Sequence, residues 1–171
     1  PNKLQKFMKE NSDNNVITIA STGIGKTEGA LLWIGNNKGF FTLPLRVSLN
    51  AIYDRLKDKI KFNGDKLGLL HSEATAEYMK RNDGEIDKEH LDETKQLSKA
   101  LTVCTLDQIL DFVFKCEGFE LKLAILSYSK LVIDEIQMYS ADMIAYLLAA
   151  LKEITNMGGK FAIVTATFPP V

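Results

Sequence analysis

The sequence predicts an α/β domain with a doubly wound, mostly parallel sheet flanked by helices. Two observations predict it. Short apolar runs recur along the chain with helix-period patterns between them, and polar or glycine-containing stretches sit at the downstream ends of those runs. A chain of 171 residues is one domain's worth, long enough to bury around 70% of the surface its unfolded form exposes. One core is therefore expected.

Taken in order, the runs are VITIA (16–20), FFTLP (40–44), KLGLLHS (66–72), ALTVCT (100–105), KLVIDE (130–135) and KFAIVTA (160–166). Apolar on both faces and rich in β-branched residues, they read as parallel strands covered by helices on each side. Between them Leu49, Ile52, Tyr53, Leu56 and Ile60 keep helical spacing, as do Ile144, Leu147, Leu148, Leu151 and Ile154 after the cap residue Ser140. Strands alternating with helices give the α/β class. The chain has no internal repeat and no low-complexity linker. Residues 73–99 depart from the pattern: highly charged, acidic on balance and poor in large apolar side chains, they read as a solvated helical insertion in preference to a partner-binding element. His90 within it reads as a surface histidine.

A formal net charge of −1 and a pI near 6.2 exclude a wholesale basic surface, so any nucleic-acid contact depends on local placement. Cys104 and Cys116 lie in apolar surroundings without a CxxC or His/Cys cluster, which reads as buried free thiols in a reducing, cytoplasmic setting. No run approaches the length of a membrane span, and PNKLQKFMKE lacks a signal-peptide core. The start at Pro1 reads as a piece of a longer protein.

The stretch ASTGIGKTEG (20–29) joins the first run to a helical pattern. In parallel α/β sheets ligands bind beyond the carboxyl ends of the strands. There Gly23 and Gly25 are able to take positive φ and let backbone N–H groups close around an anion. A helix starting near Lys26 aims its positive end at the same point. Lys26 adds an ammonium for the β- and γ-phosphates, and the Thr27 hydroxyl suits magnesium. Ile24 and Glu28, in the same stretch, are counted among the candidate contacts to a nucleoside triphosphate. The strict phosphate-loop pattern asks for glycine where this chain has Ala20. A plain glycine-rich turn explains the two glycines but leaves Lys26 and Thr27 without a reason.

LVIDEIQ (131–137) ends a run with adjacent carboxylates, costly to bury unless a cation or hydrogen-bond donors compensate. Asp134 fits a magnesium ligand and Glu135 the base or orienter of an attacking water. Alone, the pair reads equally as a solvated strand end; beside a phosphate loop, the catalytic reading leads.

At this point the chain resembles the first RecA-like domain of superfamily 2 helicases, a P-loop NTPase fold. ASTGIGKT has the form A-x-T-G-x-G-K-T usual for motif I in that superfamily, which accounts for Ala20. LPLRVSLNAIYDRL (43–56) resembles motif Ia, TVCTLDQIL (102–110) motif Ib, VIDEIQ (132–137) motif II and VTATFPP (164–170) motif III, all in order. GKTEGALLW, the motif Ia wording, LLHSEA (69–74) and DEIQ are together most similar to the type I CRISPR-associated helicase-nuclease family.

The resemblance implies ATP and magnesium as ligands, with phosphate binding at Thr22, Gly23, Gly25 and Lys26, magnesium at Thr27 and Asp134, and hydrolysis at Glu135. Gln137 stands where many relatives have histidine. Gln5 matches the adenine-reading glutamine of the Q motif, or is a solvent-facing helix residue. Arg46 and Thr105 are implied to meet the nucleic-acid backbone, and Thr165 and Thr167 to couple the two activities. Trp33 reads as core before base-stacking platform; His71 reads as a structural histidine or a nucleic-acid contact. The implied partners are single-stranded DNA, a second RecA-like domain, a His-Asp nuclease domain and a CRISPR RNA-guided surveillance complex. Both further domains are expected outside this chain, since His71 and His90 alone cannot build the nuclease centre. The leading reading is a DNA helicase motor in CRISPR interference. The alternatives are another superfamily 2 motor acting on RNA or DNA, and a nucleotide-dependent scaffold without turnover.

Overall fold

Each of the six runs forms a strand. β1 (Val16–Ile19), β2 (Gly39–Thr42), β3 (Leu67–Leu70), β4 (Leu101–Cys104), β5 (Lys130–Asp134) and β6 (Lys160–Thr165) pair in the order β1-β6-β5-β2-β4-β3. Every pairing is parallel. The structure, a computed structural model, describes residues 1–81, 87–115 and 118–167. Cys116 and the last residues of the motif III stretch, 168–170, lie outside the described residues.

Parallel neighbours need crossovers, and helices supply them on both faces. Along each central strand alternate side chains go to opposite cores: Phe41, Val132 and Val164 to one, Phe40, Leu131, Ile133 and Ile163 to the other. The first core is closed by α1 (Lys3–Glu10), α2 (Lys26–Ile34) and α3 (Arg46–Asp54) through Met8, Trp33, Leu49 and Tyr53, joined by α4 (Ala74–Arg81) and α5 (Lys88–Lys95). The second is closed by α6 (Asp107–Leu110), α7 (Phe119–Leu126) and α8 (Ala141–Asn156) through Ile109, Leu126, Leu147 and Ile154. Ser140 caps α8 as expected, its hydroxyl accepting the Met143 N–H at 3.3 Å. Trp33 is fully buried, and its indole N–H points at the carbonyls of Asn11 and Asn14, both at 3.1 Å. It is core.

Three expectations need correction. β1 is not covered on both faces: Val16 and Thr18 are buried, but Ile17 and Ile19 are 53% and 62% exposed. The reason is its position at the sheet edge, where no helix among the described residues covers the second face. Leu148 keeps the helical spacing yet is exposed, on the far side of α8 from Leu147 and Leu151. Finally, residues 73–99 do contribute core: Ala74, Tyr78, Leu91 and Leu97 are buried. The Tyr78 hydroxyl accepts the Leu69 N–H at 2.7 Å, satisfying an outward group of edge strand β3. His90 is half-buried rather than a surface residue, its ring edge-on to Tyr78 with centroids 5.3 Å apart.

Candidate functional site

Because all six strands are parallel, their carboxyl ends form one rim. The phosphate-loop stretch leaves β1 there with Gly23 at φ 81° and Gly25 at φ 85°, a backbone that side chains rarely adopt. Gly25 is also the residue before α2, and a Cβ on it would lie 2.6 Å from Gln5 Nε2. Glycine is therefore required there twice over, by conformation and by the close approach of α1.

The loop forms one wall of a cleft of about 630 Å³ lined by Asn2, Gln5, Thr22, Gly23, Ile24, Gly25, Lys26, Thr27, Glu28, Arg55, Asp134 and Glu135. The fold thus gathers into one cavity the residues expected to bind phosphate, base and metal. Asn2 Nδ2 donates to the Ile24 carbonyl at 2.5 Å, pinning the start of α1 to the loop. Asn2 and Gln5 form a capping box: Gln5 N–H donates to Asn2 Oδ1 at 2.9 Å and Asn2 N–H to Gln5 Oε1 at 3.0 Å.

Across the cleft, Lys26 Nζ lies 3.2 Å from Glu135 Oε1. Their side chains are only 9% and 25% exposed, so the pair is shielded from solvent more than a surface bridge is. Asp134 is buried at the end of β5, with Oδ1 accepting the Glu135 N–H at 2.9 Å. Burial first, then the Glu135 charge, push its carboxyl up to about 6, with Lys26 pulling the other way. A buried carboxylate so under-compensated, lining the same cleft as Thr27, fits a hard divalent cation, which takes oxygen ligands and completes its shell with water and phosphate. Glu135 sits at φ 54°, in the left-handed region that costs a non-glycine residue about 1–2 kcal/mol. Strain of this kind clusters at functional sites, where surrounding structure holds it.

Gln137 lies behind the cleft rather than in it. Its Nε2 donates to Glu135 Oε2, and its Oε1 faces the Thr165 hydroxyl. That hydroxyl is also 2.5 Å from the Thr167 carbonyl. With one proton it donates to only one of the two at a time. A continuous polar path thus runs from Lys26 through Glu135 and Gln137 to Thr165 and Thr167.

The residues expected to meet nucleic acid stand farther along the rim, after the adjacent strands β2 and β4. Arg46 opens α3, exposed, and is ion-paired with Glu73. Thr105 is largely buried, its N–H donating to the Leu70 carbonyl at 3.3 Å. His71 is buried too, bonded to Asn50 and to the Glu73 N–H, each at 3.2 Å.

Two lining residues escaped the sequence reading. Asn2 had a usable signal, the N-x-x-Q spacing of a capping box. Arg55 had none: it arrives at the cleft on a π-helical turn (Arg55–Lys59) that continues α3, and pairs with Glu28, 27 positions earlier. A separate cleft of about 260 Å³, bordered by Tyr53, Lys57, Asp65, Tyr78, Arg81 and His90, lies near the amino end of β3, away from this rim.

The sequence pattern of the family described as DEAD/DEAH box helicase matches residues 3–171. The chain is 33% identical over 162 residues to the CRISPR-associated nuclease/helicase Cas3 of Methanothermobacter thermautotrophicus, covering 91% of this chain and 19% of that protein. It is 30% identical over 185 residues to the putative CRISPR-associated nuclease/helicase Cas3 of Methanocaldococcus jannaschii, covering 99% of this chain and 25% of that one. Among solved structures, the crystal structure of T. fusca Cas3-ATP superimposes with a TM-score of 0.79 at 25% identity, over 98% of this chain and 21% of that chain. The chain therefore spans about a fifth to a quarter of the length of these relatives.

Proposed function

Because this chain belongs to the DEAD/DEAH box helicase family, we propose that it is the nucleotide-binding half of a motor that couples Mg-ATP hydrolysis to movement on single-stranded DNA in CRISPR interference. The observation that carries the reading is the contact between Lys26 and Glu135 across the cleft. It sets a phosphate-binding cation and a water-orienting carboxylate against one cavity whose third wall is the phosphate loop. The likeness to Cas3 proteins supports the interference context, and the T. fusca structure described as Cas3-ATP supports ATP as ligand.

In this reading the triphosphate lies along the Thr22–Thr27 backbone with its anionic oxygens toward the start of α2. Lys26 then exchanges Glu135 for phosphate. Glu135, released from its ion pair but still held by Gln137, accepts a hydrogen bond from the attacking water. Thr27 and Asp134 would hold magnesium, which when bound supplies charge neutralisation on the phosphates. Gln137 links the carboxylate to Thr165, so a change at the phosphates reaches the end of β6. Arg46 and Thr105 supply position on the DNA backbone without sequence readout. A second RecA-like domain, a nuclease domain and an RNA-guided surveillance complex complete the proposed assembly.

The test measures nucleotide affinity and single-turnover hydrolysis in the complete protein, with single-stranded DNA or RNA added. DNA should stimulate turnover. Lys26→Ala should weaken ATP binding and hydrolysis together, because its contact exists in both the ground and transition states. Glu135→Gln should keep ATP affinity within a few-fold and lower turnover by about 10² or more. A Glu135→Gln protein that hydrolyses ATP at the parent rate would overturn the catalytic assignment in favour of a nucleotide-binding scaffold. Stimulation by RNA alone would overturn the DNA assignment.

A further inference from the structure

Parallel strands give the sheet a second edge, at their amino ends, and lysine marks it almost throughout. β5 and β6 begin on Lys130 and Lys160, β2 and β3 directly after Lys38 and Lys66, and β4 two residues after Lys99. In sheet order these form one row: Lys160, Lys130, Lys38, Lys99, Lys66. Two of them have a structural task. Lys130 is buried, and its Nζ donates to the Trp33 carbonyl in the last turn of α2 at 2.7 Å. Lys99, also buried, donates to the Asp65 carbonyl at 2.9 Å and pairs with Glu93. Tying down carbonyls at the ends of helices and turns accounts for both.

Lys38 and Lys66 are left over. Lys38 is half-buried; its ammonium has three donors and one partner, the Lys99 carbonyl at 2.6 Å, with no ion pair among the described residues. Burial holds its pKa below the usual lysine value, as expected of an ammonium short of counter-charge. Lys66 is exposed and likewise without an ion pair among the described residues. Both line a polar cleft of about 540 Å³ together with Asn36, Asn37, Ser98 and Tyr128. Asn36, Asn37, Lys66 and Ala100 also border a second cleft, of about 490 Å³, whose further walls include Leu31, Ile34, Ile60 and Phe62. The two clefts are therefore one groove, cationic at one end and apolar at the other. Ile60 is 39% exposed in it. Lys61, between Ile60 and Phe62, sits at φ 54°, and backbone strain of that kind clusters at functional sites.

The chemistry of the groove selects its occupant. A nucleic-acid strand carries a phosphate at every step; it would meet the Asp65 and Glu93 carboxylates that also border the polar cleft, and would leave the apolar half unused. A purely apolar ligand leaves the two lysines unanswered. A peptide segment with carboxylates beside one large apolar side chain satisfies both halves.

We propose that this groove is a docking site for another protein, which presents a short acidic segment: its carboxylates meet Lys38 and Lys66, and one apolar side chain enters beside Ile60 and Phe62. The nucleotide cleft and the proposed DNA contacts lie at the opposite edge of the sheet, so the partner is held without obstructing either. The assignment stands on the fold and goes beyond nucleotide binding.

The test titrates the complete protein against three fluorescein-labelled heptapeptides, DEDFEDE, SNSFSNS and DEDSEDE, and reads fluorescence anisotropy. DEDFEDE should bind about tenfold or more tightly than either control, because only it carries both the charge and the apolar side chain. Added salt should weaken it. Lys66→Glu, a change at an exposed side chain, should weaken it about three- to tenfold, and Lys38→Ala by a similar factor. Ile60→Ser should bring DEDFEDE to the level of DEDSEDE. Each variant should keep the parent's ATP affinity, since none of these residues lines the nucleotide cleft. A parent that binds none of the peptides, or all three alike, overturns the proposal, and so does a Lys66→Glu protein with the parent's affinity for DEDFEDE. Displacement of the peptide by oligo-deoxythymidine would give the groove to nucleic acid instead. Self-association of the parent in sedimentation, abolished by Lys66→Glu, would give it to a second copy of this chain. Either result overturns the acidic-segment assignment and leaves the nucleotide reading intact.

Discussion

His71 is buried with its two ring nitrogens committed in opposite senses. Nδ1 accepts the Glu73 N–H, so Nε2 carries the proton and donates to Asn50 Oδ1, each at 3.2 Å. Burial is the main cause that holds its pKa below the usual histidine value, with Arg46 acting in the same direction and Glu77 and Glu73 opposing. The sign follows from that depression. Below about pH 6.5 the unfolded chain takes a proton that the folded chain refuses, so stability falls as pH drops, by up to about 1.4 kcal/mol per pH unit. Replacing it by glutamine, His71→Gln, removes this part. Urea unfolding followed through the fluorescence of Trp33, the sole tryptophan, at pH 7, 6 and 5 should therefore show a shallower acid loss in the variant; equal losses would mean that His71 charges freely in the fold. The sequence left this histidine between two roles because its partner Asn50 lies 21 positions away. No spacing rule joins them. Glu28 is a similar case: its place after the phosphate loop was readable, but its ion pair with Arg55 appears only once the π-helical turn after α3 brings the two together.

At the scale of the element, α3 carries the most. It opens at Arg46 on the rim and runs into the π-helical turn that delivers Arg55 to the nucleotide cleft. One continuous helical segment therefore has one end at the proposed DNA surface and the other at the proposed nucleotide cleft. Its helical character was legible from Leu49, Ile52, Tyr53 and Leu56, whereas the change to a π turn was not, since the apolar spacing continues through it. The same limit explains residues 73–99. Their composition argues for solvent, yet four well-placed side chains, Ala74, Tyr78, Leu91 and Leu97, are enough to seal them against the sheet. That packing also puts Glu73, at the foot of α4, against Arg46. A carboxylate there occupies the guanidinium that a DNA phosphate would take, so Glu73→Gln should tighten single-strand binding about two- to fivefold at low salt. Arg46→Ala should weaken it for all sequences alike and reduce the salt slope by about 0.7, the value of one phosphate contact on single strands. Fluorescence anisotropy of labelled oligonucleotides against the complete protein reads both changes. An unchanged slope in Arg46→Ala would place the DNA on another part of the rim.

For the whole molecule, the alternation of strands and helices was legible because every run ends in polar residues at the same rim. Which strand lies at the edge was not, because strand order is set by crossovers and leaves no mark in the apolar pattern of VITIA. The order β1-β6-β5-β2-β4-β3 has a consequence for exchange with solvent. Asp134 ends β5 and Glu135 follows it, and that strand is paired on both sides, while the phosphate loop follows β1, which is paired on one side only and has Ile17 and Ile19 bare. Amide deuterium uptake should be slowest in β5 and β2 and fast in β1, since edge backbone opens without breaking the core. Added Mg-ATP should slow uptake in β1 and α1 far more than in β5, because a ligand bound to the closed form draws down whatever opening it opposes. Uniform slowing across the sheet would contradict this. The acidic half of the cleft thus rests on an interior strand and the phosphate-loop half on an edge strand, so a nucleotide bound as proposed would act as a brace on the edge, the part of the sheet with fewest neighbours to hold it.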